Sequence, residues 1–135
     1  MSQTNTLEVI EEAECLELLA SSAVGRIAVV LDGRPLIFPV NYLLHHRTVA
    51  FRTDPGTKLE AATLGRVAFE VDGTDSLYHT GWSVLVQGVG QEITDAWDAW
   101  SQDVRQHHLE PWAAGAKEHW VAIASPVFSG RRIRR

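Results

Sequence analysis

The amino-acid sequence predicts a mainly β protein with α-helices: a six-stranded antiparallel barrel with flanking helices. Three observations carry that prediction. The first three strand-forming runs are separated only by Asp32-Gly33 and by His45-His46-Arg47, whereas parallel strands need crossovers of a dozen or more residues. The fifth run carries Gly88 and Gly90, the kind of bend that lets one coiled strand serve both sides of a barrel closure. A chain of 135 residues suits one domain, 1-135, large enough to bury a core and too short for two.

Taken in order, Met1 to Thr6 is polar and reads as a frayed terminus, without the basic and apolar stretches of a secretory signal. Glu11 to Ser21 places Ala13, Leu16, Leu19 and Ala20 at helical spacing, with acids in the first turn where the helix dipole favours them. Arg26 to Leu31 is a β-branched run, and Asp32-Gly33 supplies a hairpin turn. The return strand, about Pro35 to Leu44, contains Pro39, which fits only an edge or a bulge and implies a bulged strand.

Thr48 to Thr53 is the third strand, followed by a short helix with Pro55 at an early position and Gly65 at its end. The fourth strand, Arg66 to Val71, stops at Asp72-Gly73, and the fifth is Ser83 to Ile93. Ala96 to Leu109 patterns as a helix with Trp97, Trp100 and Val104 on one face. Trp120 to Ala124 is the sixth strand, continued by Val127-Phe128 after Pro126.

Composition narrows the function classes. Twelve Lys and Arg against seventeen Asp and Glu, net −5, argue against a protein that coats nucleic acid. Four arginines, Arg131, Arg132, Arg134 and Arg135, make a basic C-terminus that reads as a solvated end or a contribution to a ligand site. No apolar run is long enough to span a bilayer. With Cys15 as the one cysteine, no internal disulfide forms, and a cytoplasmic location is expected.

The segment Phe51-Arg52-Thr53-Asp54-Pro55-Gly56-Thr57-Lys58-Leu59 is the most specific local feature. A strand ends in a hydroxyl, the chain turns, and a helix opens with a lysine. Backbone N–H groups, two hydroxyls and two cations then converge where an anion is favoured. Lys58 near a helix start opposes the dipole at a cost of about 0.3–1 kcal/mol, which a bound anion would reverse. The pattern matches neither a Walker loop nor a Rossmann fingerprint.

Asn41, in the apolar strand segment Pro39-Val40-Asn41-Tyr42, either faces solvent by alternation or addresses the edge of a heterocycle such as a flavin. Trp82 is an aromatic platform or a core or interface residue, and Ser83 lacks the elbow of a hydrolytic nucleophile. The six histidines lack the spacing of a metal site, so no metal is expected.

With these pieces placed, the chain resembles the pyridoxamine 5′-phosphate oxidase-like, FMN-binding split-barrel family over nearly its whole length. The resemblance rests on the order of Val24-Gly25-Arg26-Ile27-Ala28, Pro35 to Tyr42, Phe51-Arg52-Thr53 through Gly56-Thr57-Lys58, and Trp82 to Gly88. It implies a homodimer with FMN in a groove between the two barrels. Arg52, Thr53, Thr57 and Lys58 would hold the ribityl phosphate, and Val40 and Asn41 would line the isoalloxazine. Trp82 and Ser83 would approach the cofactor from the fifth strand.

The implied activity is an FMN-dependent oxidoreduction of a small molecule, with no catalytic residue nominated because the cofactor carries the hydride. The second strand lacks the flanking cation of true pyridoxamine phosphate oxidases, so that substrate is not expected. The same barrel hosts deazaflavin F420-dependent reductases and non-enzymatic flavin- or haem-binding modules. F420 is the alternative cofactor; Arg26, Arg66 and the terminal arginines are available to its longer anionic tail.

Overall fold

A computed structural model of the chain describes residues 4–63, 65–93, 109 and 119–135. In chain order these form β1 (Thr6–Ile10), α1 (Glu12–Ala20), β2 (Val24–Leu31), β3 (Arg34–His45), β4 (Thr48–Thr53), α2 (Thr57–Thr63), β5 (Arg66–Asp75), β6 (Thr80–Glu92) and β7 (His119–Arg134). All strand pairings are antiparallel. The order β7-β4-β3-β2-β5-β6 closes on itself through β6–β7 pairing, so six strands make the barrel, as expected, and β1 adds to the free length of β7.

Alternation sets the inside. Val67, Phe69 and Val71 of β5 point inward with Ile27, Phe51, Val84, Val86 and Ile123, all nearly or fully buried. Helix α1 closes one mouth with Cys15 and Leu19. Tyr42 meets Phe69 edge-on, its ring centroid 4.8 Å away, and donates its hydroxyl to the Leu19 carbonyl at 2.5 Å. Burial pushes that phenol up to about 12.

Four expectations are corrected. Thr6, expected to be the last residue of a frayed terminus, instead opens a strand that the sequence did not signal: Thr6 to Ile10 pair with Arg134 to Gly130. Pro39 sits in an unbroken register opposite Arg26, so β3 has no bulge there. β4 pairs with β3 only at residues 42–45, and Pro39 occupies a stretch with β2 as its one paired neighbour. β5 runs through Asp72-Gly73 to Asp75, because the Trp82 indole packs on Gly73 so closely that a Cβ would stand 2.7 Å from Nε1. The turn comes later, at residues 76–79, where Asp75 Oδ1 accepts the N–H groups of Leu77 and Tyr78.

The basic C-terminus is likewise strand. Within β7, residues 125 and 126 lie opposite the single residue Gly88, a bulge marked by φ 51 at Ser125. The bend expected at Gly88 therefore falls on both partners. α2 begins at Thr57, so Pro55, expected at an early helical position, lies two residues before it in the turn. Of the helix expected over Ala96 to Leu109, all but Leu109 lies outside the described residues.

On the outer face, Arg26 of β2 bridges two carboxylates of β5, Glu70 at 3.3 Å and Asp72 at 3.5 Å. Burial, then the hydrogen bond and charge of Asp72, raise Glu70 to about 7. An acid whose pKa is higher folded than unfolded binds its proton preferentially in the native state, so folding stability falls as pH rises from about 4.5 to about 7. Discounted for solvent screening, the loss is about 1 kcal/mol. Chemical denaturation at pH 5 and pH 8 should register it, and Glu70→Gln should flatten the difference.

Candidate functional site

The barrel interior is filled by apolar side chains, so a ligand of any size must lie outside it. β4 delivers its residues alternately: Phe51 and Thr53 point in and Arg52 points out. The Arg52 guanidinium donates through Nη1 to the Leu109 carbonyl at 2.8 Å and lies over the ring of Trp120, 5.7 Å from its centroid. Trp120 is its direct neighbour across the β4–β7 pair. Around it lies a second apolar cluster, Ala50, Ile93, Trp120 and Ala122 with Leu43 and Leu109.

Asn41 lies one step before the Tyr42–Phe51 pair, level with Arg52. It is half-buried and alternates with buried Val40 and Tyr42, so it belongs to the outer side with Arg52. α2 starts four residues beyond Thr53 and closes its first turn by the Glu60 N–H on the Gly56 carbonyl, 2.9 Å. Arg52, Asn41 and the start of α2 thus gather at one end of the barrel. Val40 and Thr53 reach that end with their side chains turned inward, 7% and 1% exposed. The Thr53 hydroxyl donates to the Asp54 carbonyl at 3.4 Å. The side chains of Thr57 and Lys58 lie outside what is described.

Trp82 and Ser83 lie on β6. They oppose Arg132 and Arg131 of β7, whereas Arg52 and Thr53 oppose Trp120 and His119. The registers run Arg52, Asn41, Val24, Asp72 and Ser83 across β4, β3, β2, β5 and β6, so Ser83 is four strands around the barrel from Arg52, about 19 Å along the sheet at roughly 4.8 Å per strand. Arg52, Asn41 and Ser83 therefore share one row around the barrel, with Trp82 one residue beyond it.

Two features were not read from sequence. His119 Nδ1 contacts the Glu92 carboxylate, and His119 is paired with Thr53, placing an imidazole–carboxylate couple beside the Arg52 end. At the C-terminal end of β7, the terminal arginines are held by acids: Arg132 pairs with Glu14 through both terminal guanidinium nitrogens, and Arg134 Nε reaches Glu8 at 3.2 Å. The Arg132 hydrogen bond holds the Glu14 carboxyl below the ordinary carboxylate range. Both acids come from the N-terminal β1–α1 segment, more than a hundred residues away in sequence, so no local pattern signals either pair.

The pyridoxamine 5′-phosphate oxidase family model matches residues 11–132, which include Asn41, Arg52, Trp82 and Ser83. The chain belongs to this family. Among solved structures, it is similar to the FAD binding protein from Mycobacterium smegmatis, 41% identical, covering 95% of this chain and 99% of that one with a TM-score of 0.80. A conserved protein of Corynebacterium diphtheriae is 32% identical over 94% of this chain and 98% of its own, TM-score 0.76. An uncharacterised protein of Mycobacterium tuberculosis is 35% identical over 141 positions, 98% of this chain and 90% of that protein.

As a family member, the chain has a mainly antiparallel split barrel, the fold its sequence predicts. No described helix is long and apolar enough to cross a membrane.

Proposed function

We propose that this family member binds a flavin and uses it to reduce a small molecule. The observation that carries the reading is the Arg52 end. A strand-terminal guanidinium, a half-buried amide at Asn41 and the start of α2 face outward together, which suits the anionic tail and the heteroatom edge of a flavin. Arg52, Thr57 and Lys58 hold the phosphate in this reading, with Thr53 contributing through its backbone. Asn41 addresses the ring edge, while Val40 supports that strand from inside. The bound flavin supplies hydride transfer; the chain's own residues bind and orient it and keep water from one of its faces.

FAD is favoured over FMN, because the relative from Mycobacterium smegmatis at 41% identity is described as an FAD binding protein. The working form is a homodimer. The outer sheet supports such a contact: the aligned row Ile37, Ala28, Ala68, Gln87 and Val127 crosses β3, β2, β5, β6 and β7. Its ends Ile37 and Val127 are 69% and 63% exposed, and an apolar patch of this kind marks an interaction face. One buried cysteine and no disulfide accord with a cytoplasmic setting.

The test is the absorption spectrum of the purified protein followed by anaerobic addition of NADH or NADPH. Flavin bands that bleach with a nicotinamide are the expected result. A colourless protein that takes up reduced F420 and neither flavin would replace this reading with the deazaflavin one, and a Soret band would replace it with a haem module.

A further inference from the structure

Beyond α1, the ends of β5, β6 and β7 enclose a groove of about 480 Å3 whose walls include Thr74, Asp75, Thr80, Trp82, Arg134 and Arg135. The bare backbone at Gly73 lets the Trp82 indole lie directly on β5, which leaves the ring system as a platform in the groove. The cations are pre-positioned. Arg134 is held by Glu8, neighbouring Arg132 by Glu14, and the Arg135 guanidinium sits 4.6 Å from the centroid of Tyr78.

The acids matter as much as the arginines. A groove of arginines alone would suit any inorganic anion, but here Asp75 stands among them, fixed by the β5–β6 turn through its Oδ1. A carboxylate repels phosphate and accepts from sugar hydroxyls. Glu8 and Glu14 offset two of the three groove arginines and Asp75 balances the third, so the groove suits at most one phosphate group, met by Arg135, rather than several. An aromatic plane, a carboxylate with two threonine hydroxyls, and a guanidinium correspond to base, ribose and phosphate.

We propose that this groove is a nucleotide subsite that takes the adenylate half of FAD. The base lies against Trp82, the ribose addresses Asp75 and Thr80, and the phosphate meets Arg135. The identity of the dinucleotide rests on the flavin reading above; the subsite itself does not.

Isothermal titration of the full-length protein with 5′-AMP, as purified and after flavin removal, tests the subsite directly. The stripped protein should bind AMP, and Arg135→Ala with Thr80→Val should weaken that binding at least tenfold while leaving FMN affinity unchanged. FAD should bind at least tenfold more tightly than FMN, and AMP should displace FAD but not FMN. Absence of AMP binding overturns the subsite. If AMP still binds the FAD-loaded protein and NADPH displaces it, the groove serves the nicotinamide donor and the FAD assignment falls. If AMP binds through Arg135 and neither flavin binds, the flavin reading fails and the subsite stands.

Discussion

Arg52→Ala should weaken flavin binding by about 10- to 100-fold, measured by quenching of flavin fluorescence on titration with protein. A charge-assisted hydrogen bond to a phosphate is worth about 1.5–3 kcal/mol, and each 1.4 kcal/mol is a factor of ten. The prediction has two parts, because Arg52 already spends Nη1 on the Leu109 carbonyl and a face of its guanidinium on Trp120. Those contacts hold the guanidinium on the outer side shared with Asn41. Arg52→Lys tests the division. It keeps the charge but lacks the fork needed to bond a carbonyl and a phosphate together, so its affinity should fall between the wild type and the alanine variant. A lowered melting temperature with unchanged flavin affinity in both variants would make Arg52 a purely structural latch for Leu109.

Much of this architecture is legible in the sequence wherever local rules suffice. The β2–β3 hairpin follows from Asp32-Gly33, where both residues adopt positive φ, and β4 ends where its β-forming run ends. The rules fail where a distant partner decides. β1 is a five-residue edge strand with Leu7 and Val9 on its exposed side; only the far end of β7 makes it a strand. Gly73 and Pro126 look like terminators and are not, since Trp82 covers the first and a bulge opposite Gly88 absorbs the second.

The same distinction applies to the site. Arg52 and the start of α2 are close in sequence and visible as a unit, and the β3–β4 turn brings Asn41 level with them. The alignment of Ser83 with that unit depends on a row of pairings, Asn41 to Val24, Asp72 and Ser83 across β3, β2, β5 and β6. No spacing in the chain encodes that row. The Glu14–Arg132 and Glu8–Arg134 pairs depend on the long strand β7.

Gly90→Ala should cost the protein both stability and flavin, and the pairing of the two losses is what identifies its cause. A Cβ at this position would stand 1.6 Å from the Ala62 carbonyl oxygen, and backbone cannot swing aside as a side-chain tip can. Either β6 or α2 has to move. α2 is the lighter element, docked by Ala61 and Ala62 and tied nearby through the Gly90 N–H on the Gly65 carbonyl, 3.0 Å. Overpacking of this kind costs about 1–3 kcal/mol, a melting-point drop of roughly 4–12 °C for a chain of this size. Lifting α2 also displaces Thr57 and Lys58 at its start, so flavin affinity should fall with stability. Gly25→Ala is the control. There the added Cβ would meet the Phe69 ring at 2.2 Å, deep in the barrel and away from α2, so the protein should lose comparable stability while the folded fraction keeps its flavin affinity. Equal loss of affinity in both variants would mean that flavin binding follows global stability rather than the seating of α2.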